Sequence, residues 1–166
     1  MMRILVRLAL ERSAAAAVEL AMSLPVLLVI AYGTFELGNY FRTEHVVQKA
    51  ARDAARYAAR LPMTNYPSCA ATAGAEQQIQ RVARTGVPDG TQANRIHTWT
   101  ADNMTVVTIA CDTSGTYSGV FQNFPDGAPV ITVTSTVPYG SLWGTFGFGA
   151  SSLSVYGRSQ AAVFGA

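Results

Sequence analysis

Apolar positions are unevenly spread along this chain, and their spacing changes as it proceeds. From Ala14 to Leu37 almost every position is aliphatic, small or aromatic, and Glu19 is the one charge before Glu36. About 20 helical residues cross a hydrocarbon layer of ~30 Å, so this run is long enough to span a membrane. Past it the pattern becomes one-sided. Val46, Val47, Ala50, Ala51, Ala54, Tyr57, Ala58 and Leu61 recur every three or four residues, the period of a helix with one apolar face. Arg42, Lys49, Arg52, Asp53, Arg56 and Arg60 fall mostly on the other side. Alanine favours the helix, and Leu61-Pro62 closes it, since proline disfavours helical geometry in the residue before it. A continuous helix from Ala15 to Leu61 would measure about 70 Å at ~1.5 Å per residue. Pro25 removes one of its backbone hydrogen bonds and predicts a kink.

The rest reads as a small mixed domain. Met63–Ser68 has the residues of a loop. Cys69–Arg84 carries a weaker amphipathic pattern through Ala73, Gln77, Ile79, Val82 and Ala83, broken by Gly86-Val87-Pro88-Asp89-Gly90. Met104–Cys111 and Val130–Val137 are rich in β-branched residues, and in the second Ile131, Val133, Ser135 and Val137 alternate with threonines. Ser152–Phe164 is a third strand candidate. Two or three antiparallel strands with one buried face need a helix to cover them. The expected fold is therefore α+β: a long N-terminal transmembrane and amphipathic helix packed on a small antiparallel sheet, with a second short helix. Its divisions would be 1–14, a basic leader; 15–37, a transmembrane helix; 38–61, the amphipathic continuation; and 62–166, a small extracytoplasmic domain.

Charge adds orientation. The formal net charge of +2 is too small to point to nucleic acid, but Arg3, Arg7 and Arg12 precede the apolar run with only Glu11 against them. A basic flank is retained on the cytoplasmic side, so the expected location is the bacterial inner membrane, N-terminus inside, with the C-terminal domain translocated. A cleavable secretory signal shares the basic start but needs small residues after its core. Here Tyr40 and Phe41 follow instead, and such aromatics suit a membrane interface.

The candidate chemistry is sparse. A translocated domain enters an oxidising compartment, where its two cysteines, Cys69 and Cys111, are expected to form a disulfide; two free thiols are the alternative. His45 and His97 have no ligand spacing with either cysteine, so no metal site is expected. Asp102, Asp112 and Asp126 lie in turn-forming sequence. The aromatic stretch Tyr139–Phe148 reads either as a loop over the sheet or as an exposed apolar surface for a partner. No G-x-S-x-G, H-E-x-x-H or P-loop pattern occurs, so no enzyme activity, cofactor or small-molecule substrate is expected. Glu19 is the conspicuous group, because an ionisable residue in a membrane helix usually has a partner or reaches the interface. Gly33 and Gly38 either admit a second helix closely or are tolerated glycines of a membrane span.

Ala15-Ala16-Ala17-Val18-Glu19-Leu20-Ala21 with Leu24-Pro25, followed by Val46-Val47-Gln48-Lys49-Ala50-Ala51-Arg52-Asp53-Ala54-Ala55-Arg56-Tyr57-Ala58, resembles the N-terminal block of TadE-like pseudopilins of the tight-adherence (Flp) pilus. The resemblance covers about the first 60 residues. It implies processing by a prepilin peptidase at Ala14–Ala15, with Glu19 and Pro25 in the subunit-packing segment and no catalytic residues. Ala14 stands where the family usually has glycine, and Leu20 where it usually has an aromatic residue. The implied function is that of a minor pilin acting in assembly or priming of the pilus, related to adhesion and biofilm. Its implied partners are the peptidase, the major pilin and other pseudopilins. A different reading of the same residues is a membrane-anchored domain that binds, for instance, surface polysaccharide, with the helix as tether only.

Overall fold

The computed structural model describes residues 12–112, 127–144 and 153–165. The basic residues Arg3 and Arg7, Asp126 and the end of the aromatic stretch at 145–148 lie outside them. The fold is α+β, in the order helix α1 (Arg12–Arg60), helix α2 (Ala73–Thr85), and strands β1 (Thr105–Asp112), β2 (Ala128–Pro138) and β3 (Ser154–Ala162). The chain divides into two compact units, one ending at Asn39 and the other beginning at Tyr40.

In the first unit α1 runs through Pro25 without interruption. Its hydroxyls bond back to their own helix: Ser23 Oγ donates to the Glu19 carbonyl at 2.8 Å and Thr34 Oγ1 to the Ile30 carbonyl at 2.8 Å. Such bonds satisfy a polar side chain where no other partner is at hand.

The second unit is an antiparallel meander of order β1-β2-β3 covered on one face by helices. Alternation along β2 decides which face. Ile131, Val133, Ser135 and Val137 are buried, while Thr132, Thr134 and Thr136 point the other way and are partly or fully exposed. The register places Val107 against Val133, Ile109 against Ile131 and Thr105 against Ser135. The last pair shares a hydroxyl–hydroxyl hydrogen bond of 3.1 Å, which satisfies both polar groups inside the core. Against this face lie Val47, Ala50, Ala54, Ala55 and Ala58 of α1, Ile79, Val82 and Ala83 of α2, and Trp99, the largest fully buried side chain.

The α1 face in this unit is mostly alanine because the sheet comes very close. At Gly157 of β3 a Cβ atom would sit 2.8 Å from the Val47 carbonyl oxygen, so only glycine lets strand and helix backbones meet there. Polar contacts reinforce the closeness. The end of α1 is capped from two directions. Tyr66 Oη donates to the Ala58 carbonyl at 2.6 Å, and the Phe164 and Gly165 amides both donate to the Ala59 carbonyl. These are the carbonyls that a helix end leaves without intrahelical donors.

Element bounds differ from the sequence expectation mainly around Cys69. The second helix starts at Ala73 rather than Cys69, because Thr72 is its N-cap and accepts from the Ala75 amide. Ser68 and Cys69 have φ of 51° and 59° and cannot join it. Met63–Asn65 and Pro67–Cys69 are single 3-10 turns rather than an irregular loop. Gly86, at φ 93°, ends the helix as a left-handed cap and donates its amide to the Val82 carbonyl.

Candidate functional site

The feature that needs a functional account is the apolar surface of α1 before Asn39. Every residue from Ala15 to Ile30 is exposed, including Leu20, Met22, Leu24, Leu27, Val29 and Ile30. The helix is long and apolar enough to cross a membrane, and none of its most apolar 18-residue window is buried. A stretch of this length and composition requires a non-aqueous surrounding, whether lipid or protein.

Glu19 sits within this surface and is itself exposed. Among the described residues its carboxylate has no ion-pair or hydrogen-bond partner, although its carbonyl accepts from Ser23. Pro25 is also exposed. Among the described residues, Gly33 and Gly38 have nothing within 4 Å of where a Cβ would stand, so no close approach there accounts for them. Ala14 and Ala15 both lie within α1, whose described residues begin at Arg12. The bond between them is thus in helical backbone.

Among the described residues, the structure joins the two cysteines singled out by sequence. Cys69 and Cys111 form a disulfide with their Cα atoms 5.9 Å apart, and it ties the Pro67–Cys69 turn to the end of β1. The link is therefore from a turn to the sheet, not from a helix to the sheet. Among the described residues, no group of three or more His, Cys, Asp or Glu is placed to hold a metal ion. Asp102 is instead held by arginines, with Arg84 Nε at 2.7 Å and Arg81 Nε at 3.7 Å. In the aromatic stretch Tyr139 is core, its ring edge-on to Tyr40 at 5.3 Å, whereas Leu142 is exposed.

Three contacts had no sequence signature. Arg95 Nη1 pairs with Asp53 at 2.9 Å and joins α1 to the segment after α2. Gln48 makes two hydrogen bonds to the backbone of Arg158, 110 residues away. Tyr66 carries a pKa raised by burial and, secondarily, by the nearby Tyr57. Each depends on tertiary neighbours that no local periodicity encodes.

No curated protein and no solved structure matches the chain. One family model does, and the segment it matches, residues 14–56, begins at the proposed cleavage position and ends just short of the end of α1. It holds both the unburied apolar run and most of the alanine face on which the sheet rests. Over residues 14–56 the chain matches the family of TadE-like proteins, as the pattern around Glu19 and Val46–Ala58 led one to expect.

Proposed function

We propose that this protein is a minor pilin or pseudopilin that assists assembly or priming of a tight-adherence (Flp, type IV-like) pilus. The observation that carries the reading is the coincidence of the TadE-like match with an exposed apolar helix. In this reading residues 15–37 are held in the inner membrane, 38–61 continue the helix outside it, and 62–166 form the extracytoplasmic domain. A prepilin peptidase removes 1–14 by cutting Ala14–Ala15. That bond lies in helical backbone, so cutting it asks for local unwinding of α1.

Cleavage would create an α-ammonium group on Ala15, four residues before the Glu19 carboxylate. Glu19 of one subunit then pairs with the new N-terminus of a neighbour and sets the register of helix docking. Breaking a desolvated pair by removing one partner costs roughly 3–5 kcal/mol. Glu19→Gln is expected to abolish assembly and crosslinking to the major pilin, and wild-type levels of both would remove this role from Glu19.

The deciding experiment is the N-terminal mass of the protein isolated from its native membrane. A start at Ala15, with co-isolation of pilus components, supports the reading. An intact leader and no pilus components would mean a tethered binding domain. A start beyond Gly33 would end the anchor model.

A further inference from the structure

A three-stranded sheet has two open edges, and the two are treated differently. On β1 the outward-facing groups belong to the odd-numbered residues. Gln80 of α2 donates its side-chain amide to the Thr105 carbonyl at 3.1 Å, and Cys111 is held by the disulfide. On β3 the odd-numbered residues direct their backbone groups to β2, as the bonds Val163 N–H to Pro129 and Tyr139 N–H to Leu153 at the two ends of the register show. The even-numbered Tyr156, Arg158, Gln160 and Ala162 therefore face away from the sheet.

At one of them the structure supplies a partner. The Arg158 amide donates to Gln48 Oε1 at 3.1 Å, and Gln48 Nε2 donates to the Arg158 carbonyl at 3.0 Å. Donor and acceptor on one planar amide, matched to both groups of one residue, reproduce what an opposing strand residue does in an antiparallel pair. The edge needs such a device. β3 runs for nine residues, Ser154–Ala162, with one charge and no proline, so the common safeguards against edge-to-edge pairing are nearly absent. Among the described residues the edge beside Gln48 has no other partner, Tyr156 and Gln160 are exposed, and Arg158, Ser159 and Gln160 line a shallow recess there.

We propose that Gln48 is an edge guard: its amide occupies the pairing position at Arg158 and keeps β3 from joining the β3 of a second copy. The second copy is the fitting occupant because the edge is self-complementary. An antiparallel register centred on Ser159 sets Arg158 against Gln160 of the second copy and Tyr156 against its Ala162, so no like charges meet and a large residue faces a small one. This holds whether or not the chain serves a pilus.

The test uses the full chain in detergent micelles, with protein mass per micelle by light scattering and amide exchange at Arg158. Wild type is expected to be monomeric with a protected Arg158 amide. Gln48→Ala is expected to dimerise at a concentration at least about tenfold lower. Adding Gln160→Pro, which removes an outward N–H and none facing β2, should return it to monomer. A Gln48→Ala chain that stays monomeric while its Arg158 amide exchanges fast would overturn the guard and leave Gln48 a clasp between α1 and β3. Self-association that Gln160→Pro does not reverse would overturn it too. If Gln48→Ala fails to fold, Gln48→Leu decides. It keeps side-chain bulk and removes both the acceptor and the donor at Arg158, so dimerisation supports the guard and a monomer overturns it.

Discussion

Residues 15–39 and 47–59 belong to one helix, yet they differ in side-chain size as well as in burial. The first stretch is built from Leu, Val, Ile, Met and Phe and is almost wholly exposed. The second is built largely from alanine, with Val47, Ala50, Ala51, Ala54, Ala55, Ala58 and Ala59 all buried. Bulk is useful where apolar area must replace contact with water, and smallness where a sheet must approach a helix backbone. The nine large aliphatics from Val18 to Ile30 are between 43% and 75% exposed. At 1.5–3 kcal/mol for burying each fully, leaving them about half in water forgoes on the order of 10 kcal/mol. That equals the whole net stability of a typical domain, so the first stretch calls for cover from something other than the described residues. The second is already covered from within.

The strongest way to break that contrast is to cut the covalent link of the second region. Cys69 and Cys111 are 42 residues apart, and closing a loop of that size is worth about 4 kcal/mol in the chain-entropy model. Cys111→Ser should lower the denaturant midpoint of the domain by that order, with circular dichroism of the 15–39 helix in detergent unchanged. Equal loss of signal from both regions would mean that the two do not fold independently.

Glycines sharpen the contrast next. Gly157→Ala brings a Cβ against the Val47 backbone, and overpacking of this kind costs about 1–3 kcal/mol. Gly33→Ala meets nothing within 4 Å, so it should leave thermal unfolding of the domain unchanged and change only partner crosslinking. A stability loss at Gly33 would show that the exposed stretch is packed within the chain after all.

Much of this contrast could be read from the sequence. The dense apolar run, the switch to a three-and-four spacing at Val46, and the alternation of Ile131, Val133 and Val137 with threonines are periodic, and periodicity survives translation into one dimension. The family pattern around Glu19 was legible for the same reason, because its residues are contiguous. The start of α2 was misplaced because the apolar spacing around Ala73 outweighed one capping threonine at Thr72. Gln48, Gly157, Tyr66 and Arg95 were missed because each acts across 8 to 110 residues on a backbone or side-chain group that the fold alone brings near. Glutamine in a half-buried helix position carries no mark of being paired with a strand edge.

A smaller effect belongs to Tyr66. Its hydroxyl holds the Ala58 carbonyl, and burial, then the neighbouring Tyr57, raises its pKa. A raised folded-state pKa gives stability that is fully present below the unfolded value of about 10 and is lost as pH rises towards the folded one. Tyr66→Phe should cost about 1 kcal/mol at neutral pH, the net worth of one hydrogen bond. It should also flatten the loss of stability above pH ~10. An unchanged alkaline limb would assign that loss to other groups.

Surface turns of the second region are held by local side-chain bonds, and the smallest expected effect tests one of them. Asp89 is exposed, yet its Oδ1 accepts the Thr91 amide at 3.1 Å and the Thr91 hydroxyl at 2.9 Å. These bonds, the amide first, lower its pKa. A lowered folded-state pKa gives stability that is present above the unfolded aspartate value of about 3.9 and is lost as pH falls through the folded one. Full exposure keeps the effect small. Carboxyl titration by NMR should show Asp89 below the ordinary aspartate value, and Thr91→Ala should move it back towards that value because the hydroxyl bond is gone while the amide bond remains. The matching change in the first region, Thr34→Ala, removes a hydroxyl that bonds only to its own helix at the Ile30 carbonyl, so it should shift neither this titration nor the unfolding of the domain. If Thr91→Ala leaves Asp89 unmoved, the amide alone holds the carboxylate, and the turn is organised by its backbone rather than by its side chains.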